Sequence, residues 1–308
     1  MNDAEPLYMY INGVLDAETR NARVRFLRDF FRPNIRTRGI RRMRIPMEYK
    51  IISGSVVEIK RTWMSARSSA KKTRGTRIAG NSSERKIRQN EIERTKQLAR
   101  ILNTNLEKGW ILVTLKYDDE HLPPDYAALK ENGKKFCRAL RAAFKAKHDR
   151  NPRMIFVNAN WSPEKDREAR LHHHMVIEKC SWDMLRDIWP TTNGVSIEHI
   201  DGRSDHSALA YYLVHNVHSL ESGQCSWSTS RGNLAKPIYT EPEPVDDVED
   251  IQVIPTANQT AFERLDDEDG RPVSTYIRCV LPCKPTIRGR QIILPRPPKR
   301  GGRKRRQE

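Results

Sequence analysis

Apolar and polar positions alternate along several short segments of the chain, and this pattern predicts β-strands. Residues 170–177 form the most informative segment, because three consecutive histidines lead into an apolar run rich in β-branched side chains. In a strand, alternate side chains share one face. His172 and His174 are therefore expected on one face, about 7 Å apart along the strand and close enough to bind one divalent cation. His173 falls on the opposite, apolar face. A chance cluster of histidines is the alternative.

The same pattern predicts further strands and several helices. The predicted strands cover residues 55–59, 110–117, 154–161 and 195–200. One predicted helix begins at Ser82 or Ser83 and ends near Gly109, and others cover residues 125–148, 181–189 and 207–220. The strongly apolar strand at 110–117 is expected to be central. Short strands with helices between them predict an α+β fold, in which an antiparallel sheet has helices packed on one face.

The helix predicted at 207–220 carries two adjacent tyrosines. Each residue of a helix is rotated by about 100° from the one before it. This rotation places four apolar side chains on one buried stripe: Leu209, Leu213, Val217 and Leu220. Tyr211 lies nearly opposite this stripe and should face away from the sheet, whereas Tyr212 lies at its border, about 95° from its centre. His215 lies about 60° further round. A tyrosine at the border can reach across the sheet towards the histidine pair; simple packing of both tyrosines is the alternative.

The charge of the chain favours a polyanionic partner. Its 308 residues include 56 Lys and Arg against 39 Asp and Glu, which gives a net charge of +17 and a pI of about 9.8. Nucleic acid is the simplest partner of this kind. No apolar run approaches the roughly 18 residues that cross a membrane, and the first residues lack the layout of a secretion signal. The five cysteines, an odd number, favour a reducing cytoplasm over a disulfide framework.

Charge runs divide the chain into three parts. Residues 1–82 are predicted to be a basic, partly flexible region that contacts DNA, residues 83–237 the domain that holds the histidines and the two tyrosines, and residues 238–308 a C-terminal extension with an acidic linker and a basic tail. The acidic stretch at 241–250 is interpreted as a linker or a solvated edge. Residues 60–77 contain seven Lys or Arg and no acid, which predicts a phosphate-binding loop or a disordered linker. The DNA-binding candidates are Lys60, Arg61, Lys71, Lys72, Arg74 and, beside the histidines, Arg170.

Two imidazoles and a tyrosine together fit phosphodiester transfer. A tyrosine with its ordinary pKa of about 10 is almost wholly protonated at neutral pH, so it is a weak nucleophile unaided. A bound Mg²⁺ or Mn²⁺ can polarise the scissile phosphate, and imidazole ligands favour Mn²⁺ without excluding Mg²⁺. Attack by a tyrosine oxygen would leave a covalent phosphotyrosine on one DNA end and a free hydroxyl on the other. The sequence contains no GxxxxGK[ST] phosphate loop, so helicase activity must come from a partner.

Several short motifs occur in a fixed order over about residues 53–237. They are Gln89-Asn90 with Asn103-Thr104-Asn105, then Val113-Thr114-Leu115-Lys116-Tyr117, Arg170-Leu171-His172-His173-His174, Tyr212-Leu213-Val214-His215, and Ser230-Arg231 with Lys236-Pro237. Together they resemble the motifs of rolling-circle replication initiators of the HUH endonuclease superfamily, in the group related to the filamentous-phage gene II replication protein. The tyrosine follows the histidines, as in replication initiators, whereas relaxases usually place it near the N-terminus.

The resemblance implies a metal-dependent, site-specific single-strand DNA endonuclease and strand transferase that starts rolling-circle replication of a phage, plasmid or integrated element. It implies a ferredoxin- or RRM-like α+β domain with a central antiparallel sheet, Tyr212 as the nucleophile, and His172 and His174 as ligands of Mg²⁺ or Mn²⁺. The implied partners are single-stranded origin DNA and the helicase, polymerase and single-strand binding protein of the host. The implied location is the cytoplasm of a bacterial host cell.

Two positions depart from the family pattern. The family's lysine after the nucleophile, which contacts the phosphate or positions the metal, is His215 here. A histidine can still donate a hydrogen bond but is only partly charged near pH 7, and His215 is predicted to act beside Tyr212 as a catalytic residue. The family's third ligand is usually an acid on the strand before the histidines, where this chain has Asn158 and Asn160, with Glu164 in the next loop. By position, Asn160 is the predicted third ligand. Two alternatives stay open: a single-tyrosine transposase, against which the long basic N-terminal region argues, and a DNA-binding regulator without catalysis.

Overall fold

The structure is a computed structural model. It describes residues 44–65, 84–163, 165–191, 193–202, 205–217, 227–249, 251, 254, 257–266, 270–288 and 291–293. Within these residues the chain has an α+β fold with two large antiparallel sheets, a separate two-stranded ladder and four helices. The predicted fold class is therefore confirmed at the level of α+β.

The four helices predicted between residues 82 and 220 are present. They are α1 (Glu84–Asn105), α2 (Tyr126–His148), α3 (Trp182–Ile188) and α4 (Ser207–His215). Helix α2 begins where the Asp125 carboxylate accepts a hydrogen bond from the backbone N–H of Ala128, 2.7 Å away. It ends at Asp149, whose left-handed backbone (φ 53°) turns the chain out of the helix. No described helix has the length and apolar composition needed to cross a lipid bilayer.

The strands form two large sheets. In chain order they are β1 (Arg44–Ser53), β2 (Val56–Ser65), β3 (Ile111–Lys116), β4 (Met154–Ser162), β5 (Arg167–Ile177), β6 (Val195–His199), β7 (Trp227–Thr229), β8 (Ile238–Tyr239), β9 (Glu243–Pro244), β10 (Asn258–Asp266), β11 (Pro272–Val280), β12 (Thr286–Arg288) and β13 (Gln291–Ile293). The central sheet has the order β6-β3-β5-β4-β7, so β3 lies inside it as predicted. The outer sheet has the order β10-β11-β2-β1-β8, with β9 also paired to β1.

Helices cover both faces of the central sheet, and the prediction of helices on one face is wrong. One face packs on α2 and α3 through a buried cluster that includes Leu115, Phe136 and Leu185. The other face packs on α1 and α4 through a cluster that includes Val176 and Leu213. The physical reason is that the inner strands β3 and β5 carry apolar side chains on both sides, so both of their faces must be shielded from water.

Helix α4 ends at His215, earlier than the sequence pattern predicts. Asn216 is the reason. Its side-chain Nδ2 donates to the Tyr212 carbonyl, 2.7 Å away, and its backbone carbonyl accepts from the N–H groups of Asn160 and Trp161 on β4, at 3.0 and 3.1 Å. These bonds take the place of the hydrogen bonds that a further helical turn would make. They also fix the end of α4 against β4.

Strand β2 is longer than predicted and contains Lys60 and Arg61. The prediction of a loop from Lys60 onward is wrong for these two residues, because β2 pairs with β1 on one side and with β11 on the other. Arg61 Nε donates to Glu48 Oε2 on β1 at 2.8 Å, so part of its charge is already balanced. Three further DNA-binding candidates lie outside the described residues: Lys71, Lys72 and Arg74.

The outer sheet joins segments from both ends of the chain and is fixed to helix α1. β1 and β2 pair with strands from beyond residue 237, and the acidic stretch at 241–250 contributes β9 at the edge. Glu58 of β2 accepts hydrogen bonds from Arg100 of α1 at 2.8 and 2.6 Å, and one from the Tyr276 hydroxyl of β11 at 2.9 Å. Glu58 is buried, so loss of any partner would leave an incompletely paired charge in the interior. This network fixes the outer sheet on α1.

Candidate active site

Strand β5 presents its three histidines to opposite faces of the central sheet, as strand alternation predicts. In the strand register, His172 lies opposite Lys116 and His174 lies opposite Thr114, both on β3. These two histidines share the face that packs on α1 and α4. His173 points to the other face and is fully buried there beside Trp189.

The His172 and His174 rings converge at their Nε2 atoms. These atoms lie 3.1 Å apart, and the ring planes are inclined at 86°. Two nitrogen ligands about 2.1 Å from one cation lie about 3.0 Å apart in octahedral geometry and about 3.4 Å apart in tetrahedral geometry. The observed separation falls within this interval. The donor set of the pair therefore fits two adjacent ligands of one divalent cation.

Hydrogen bonds at the other ring nitrogens orient the pair. His172 Nδ1 lies 2.7 Å from the Arg170 carbonyl oxygen, which can only accept, so Nδ1 carries the proton and Nε2 a lone pair. His174 Nδ1 lies 3.1 Å from the Thr114 hydroxyl, which can donate or accept. When this hydroxyl accepts, His174 Nε2 also carries a lone pair. Partners of this kind hold metal-binding histidines in the required tautomer.

Burial keeps both rings neutral. It lowers the pKa of His174 to about 3, with a further lowering by His172 and Lys116 that a hydrogen bond with Asn216 opposes. Burial also lowers the pKa of His172. An imidazole with a low pKa is a weak base at neutral pH, but it remains a competent metal ligand because ligation requires the neutral ring. The pair is therefore suited to metal binding better than to proton abstraction.

Helix α4 brings Tyr212 to this pair from 38 residues further along the chain. The Tyr212 hydroxyl lies 3.3 Å from His174 Nε2, and the two rings meet edge-on with their centroids 5.1 Å apart. Tyr212 is half-buried, whereas Tyr211 points away from the sheet and is 55 % exposed. Of the two tyrosines, Tyr212 is thus the one whose hydroxyl faces the histidine pair.

His215 is engaged with helix α1 and with its own helix. Its Nδ1 donates to the Tyr211 carbonyl at 2.8 Å, and its ring stacks on the Tyr211 ring with centroids 3.7 Å apart. Its Nε2 lies 3.4 Å from a carboxylate oxygen of Glu91 on α1. Both ring nitrogens of His215 therefore have partners, and its catalytic role stays a prediction.

The residues considered for a third metal ligand occupy different places. The Asn158 side-chain oxygen accepts from His173 Nδ1 at 3.0 Å, so Asn158 belongs to the opposite face of the sheet. Asn160 lies at an irregularity of β4, where its backbone N–H donates to the end of α4. Glu164 lies outside the described residues. Among the described side chains, no group of three or more His, Cys, Asp or Glu could hold a metal. Asn160 as a ligand stays a prediction.

Three residues that border the histidine pair were missed by sequence reasoning: Thr114, Lys116 and Asn216. The positive charge of Lys116 contributes to the low pKa of both His172 and His174. Thr114 and Lys116 belong to the motif around residues 113–117, which was a usable signal. Only the register between β3 and β5, however, shows that both residues face the site.

The remaining DNA-binding candidate near the site is Arg170. Its Nη1 lies 2.7 Å from an Asp119 carboxylate oxygen, and both side chains are exposed, at 47 % and 95 %. An ion pair this exposed contributes little, so a phosphate group could replace Asp119 as the partner of Arg170. Lys60 and Arg61 lie instead on the outer sheet.

Comparisons of this chain with protein-family models, with curated proteins and with solved structures found no match.

Proposed function

We propose that this protein is a metal-dependent, site-specific single-strand DNA endonuclease and strand transferase of the HUH type that initiates rolling-circle replication. One observation supports this best: the Tyr212 hydroxyl lies 3.3 Å from His174 Nε2, which lies 3.1 Å from His172 Nε2. A tyrosine beside paired imidazole ligands has the groups that phosphotyrosine chemistry needs. The five-stranded antiparallel sheet is compatible with the ferredoxin-like domain of that superfamily. The order of histidines before tyrosine favours an initiator.

In the proposed reaction, the Tyr212 oxygen attacks the scissile phosphorus, and its proton passes to water. The bond from phosphorus to the 3′ oxygen breaks, and that oxygen takes up a proton to become a hydroxyl. The 5′ end of the DNA stays on Tyr212 as a phosphotyrosine. Because one phosphodiester replaces another, a 3′ hydroxyl can reverse the step and join strands.

The side chains around Tyr212 have supporting roles in the proposal. His172 and His174 would hold Mg²⁺ or Mn²⁺, and such a cation, when bound, stabilises negative charge on the phosphate oxygens. Thr114 keeps His174 oriented through its Nδ1 atom. Lys116, opposite His172 on β3, adds a fixed positive charge to the same face.

Formation of a covalent adduct tests the proposal. The full chain is incubated with Mn²⁺ and single-stranded DNA of the replicon that encodes it, and a denaturing gel separates protein linked to DNA. We expect an adduct from the wild type and none from Tyr212→Phe, which removes the attacking oxygen and keeps the ring. Tyr211→Phe is the matched control, since Tyr211 faces solvent, and it should form the adduct like the wild type.

Other outcomes would assign the protein differently. DNA binding without any adduct would indicate a DNA-binding regulator without catalysis. An adduct that persists in Tyr212→Phe would exclude Tyr212 as the nucleophile. Excision and joining of the two ends of an element, in place of nicking at one origin, would indicate a transposase.

A further inference from the structure

A basic cleft lies at one end of the central sheet, away from the histidine pair. It is formed by the turn between α2 and β4 and by the turn after β7, and its volume is about 590 Å³. The lining residues are Arg150, Asn151, Arg153, Arg231, Gly232 and Asn233. Met154 next to the cleft lies three residues before Val157, which pairs with His174. The cleft is therefore about 10 Å along the strand from the histidine pair.

A buried carboxylate fixes two of the three arginines. Glu178, whose side chain is 7 % exposed, accepts from Arg150 Nη1 and Nη2 at 2.5 and 2.9 Å and from Arg153 Nε at 3.2 Å. Burial would raise the pKa of Glu178, but these hydrogen bonds hold it below its ordinary value, so the carboxylate stays ionised. Both guanidinium groups are thus oriented before any ligand arrives. Each also keeps N–H groups that Glu178 does not use.

The turn after β7, which forms the second wall of the cleft, is hydrogen-bonded to the turn between α2 and β4, which forms the first. Ser230 Oγ donates to Asn233 Oδ1 at 2.5 Å, and Asn233 Nδ2 donates to the backbone carbonyls of Asn151 and Pro152 at 3.2 and 2.9 Å. These bonds join the turn after β7 to the turn before β4. The two walls therefore have a fixed separation.

Arg231 is the arginine of the cleft that lacks an acidic partner. Across the described ranges of the chain, no carboxylate lies within ion-pair distance of Arg231, and its side chain is exposed. Three arginines line the cleft, and the single negative charge of Glu178 is shared by Arg150 and Arg153, so the cleft carries an excess of positive charge. A concave, polar site with such an excess favours an anionic ligand.

We propose that this cleft binds a phosphate group of a nucleic-acid backbone. Guanidinium groups match phosphate oxygens with bidentate hydrogen bonds, and arginine is favoured over lysine wherever that geometry matters. An open, polar cleft suits a linear polyanion, and the net charge of +17 favours the same partner. The choice of single-stranded DNA as the ligand rests on the proposed function. The cleft then holds the substrate strand at a second point, apart from Tyr212.

Binding of single-stranded DNA at several salt concentrations tests the proposal. The full chain carrying Tyr212→Phe is titrated against a fluorescent oligonucleotide without divalent cation, so that binding is measured apart from nicking. Arg231→Gln in this background should weaken binding about tenfold. The binding constant falls with salt, and Arg231→Gln should make the slope of its logarithm against the logarithm of salt concentration less negative by about 0.7. This is the value for one phosphate contact on a single strand.

Two matched variants sharpen the result. Arg231→Lys should keep most of the salt slope and lose part of the affinity, because lysine keeps the charge but not the bidentate geometry. Arg186→Gln removes an exposed arginine on α3 and should leave affinity and slope near the values of the parent chain. Unchanged affinity and slope in Arg231→Gln would overturn the proposal.

Calorimetry with inorganic phosphate distinguishes a nucleic-acid backbone from a free phosphate compound. If Arg231→Gln abolishes binding of inorganic phosphate and leaves the DNA affinity unchanged, the nucleic-acid assignment fails. Since these assays need neither metal nor nicking, weaker DNA binding by Arg231→Gln in a protein that forms no adduct would support the cleft and reject the proposed catalysis. Conversely, if the adduct forms normally and Arg231→Gln binds DNA like the parent chain, the proposal of a phosphate-binding cleft is rejected and the proposed function is not.

Discussion

Strand β5 places three adjacent histidines in two environments, and the contrast distinguishes a buried, hydrogen-bonded core histidine from the pair proposed to bind metal. On one face, His173 is fully buried and both of its ring nitrogens are hydrogen-bonded. On the other face, the Nε2 atoms of His172 and His174 meet 3.1 Å apart beside Tyr212. Three adjacent histidines thus have different surroundings, because strand alternation places them on faces of the sheet that pack against different helices.

The partners of His173 account for its structural role. The Tyr117 hydroxyl donates to His173 Nε2 at 2.7 Å, and His173 Nδ1 donates to the Asn158 side chain at 3.0 Å. Burial lowers the pKa of His173 to about 3, with further lowering by His172 and His174, so the ring stays neutral. A buried polar group with all of its hydrogen bonds made specifies one arrangement of the core.

Removing a member of the histidine pair should have the largest effect, and it should fall on activity. We expect His172→Ala and His174→Ala to lower the rate of adduct formation roughly 100-fold or more, because the proposed metal would lose a ligand. Mn²⁺ at 100 times its Kd should raise the free energy of unfolding of the wild type by about 2.7 kcal/mol, and neither variant should show this rise. Urea unfolding with and without Mn²⁺ measures it. Full Mn²⁺ stabilisation of His174→Ala would contradict the assignment of the pair.

The same substitution at His173 should act on stability. His173→Ala should lower the free energy of unfolding by about 2–4 kcal/mol, because Tyr117 and Asn158 lose a buried partner and a cavity forms. Denaturant unfolding measures the loss, and stabilisation by Mn²⁺ should persist. His199→Ala on the edge strand β6 is the control, since His199 is exposed, and it should stay within about 0.5 kcal/mol of the wild type. If the free energy of unfolding of His173→Ala equals that of His199→Ala, the buried face of β5 does not depend on His173 for its stability.

Gly133 of helix α2 tests how closely that helix approaches the His173 face. A Cβ atom at Gly133 would lie 2.8 Å from Phe156 Cε1, 2.9 Å from Asn158 Oδ1 and 3.1 Å from His173 Cε1. Gly133→Ala should therefore lower the free energy of unfolding by about 1–3 kcal/mol through overpacking. Helix propensity alone would instead raise the free energy of unfolding by about 1 kcal/mol. Thermal unfolding therefore distinguishes overpacking, which lowers the stability, from helix propensity, which raises it.

The smallest expected effect is the contribution of His173 to the pH response of stability, about 1.4 kcal/mol between pH 7.5 and 5.5. The pKa of His173 and His174 lies at about 3 in the folded chain, below the ordinary 6.5. Between these values the unfolded chain binds protons that the folded chain does not. The free energy of unfolding should therefore fall as pH falls through this window, by up to about 1.4 kcal/mol per pH unit for each histidine. Urea unfolding at pH 7.5 and 5.5 should show a smaller loss in His173→Gln than in the wild type; equal losses would argue against a neutral, buried His173.

Patterns within a few consecutive residues were sufficient to predict the strand and the helices around the three histidines. The alternation of residues 170–177 predicts the strand and the faces of its histidines, because period-two patterning needs no knowledge of the partner strands. The pattern of residues 125–148 predicts α2, whose start at the N-cap Asp125 is likewise a property of a few consecutive residues. The helical angle between Tyr211 and Tyr212 predicts which of them faces the sheet.

Distant partners explain what sequence reasoning missed. The length of β2 depends on pairing with β11, more than 200 residues away, so Lys60 and Arg61 could not be recognised as strand residues from their own basic surroundings. The end of α4 depends on Asn216 meeting the N–H groups of β4. Thr114 comes to face the site only through the register between β3 and β5. Each of these features arises from a tertiary contact rather than from local propensity.

Mapping the covalent attachment site tests the central claim most directly. Wild-type protein is reacted with Mn²⁺ and single-stranded origin DNA, digested with nuclease and protease, and the modified peptide is sequenced by mass spectrometry. Tyr211 and Tyr212 are neighbours, but only the Tyr212 hydroxyl lies 3.3 Å from His174 Nε2. The predicted result is a nucleotide attached through phosphate to Tyr212. A nucleotide on Tyr211 or on any other residue would contradict the account.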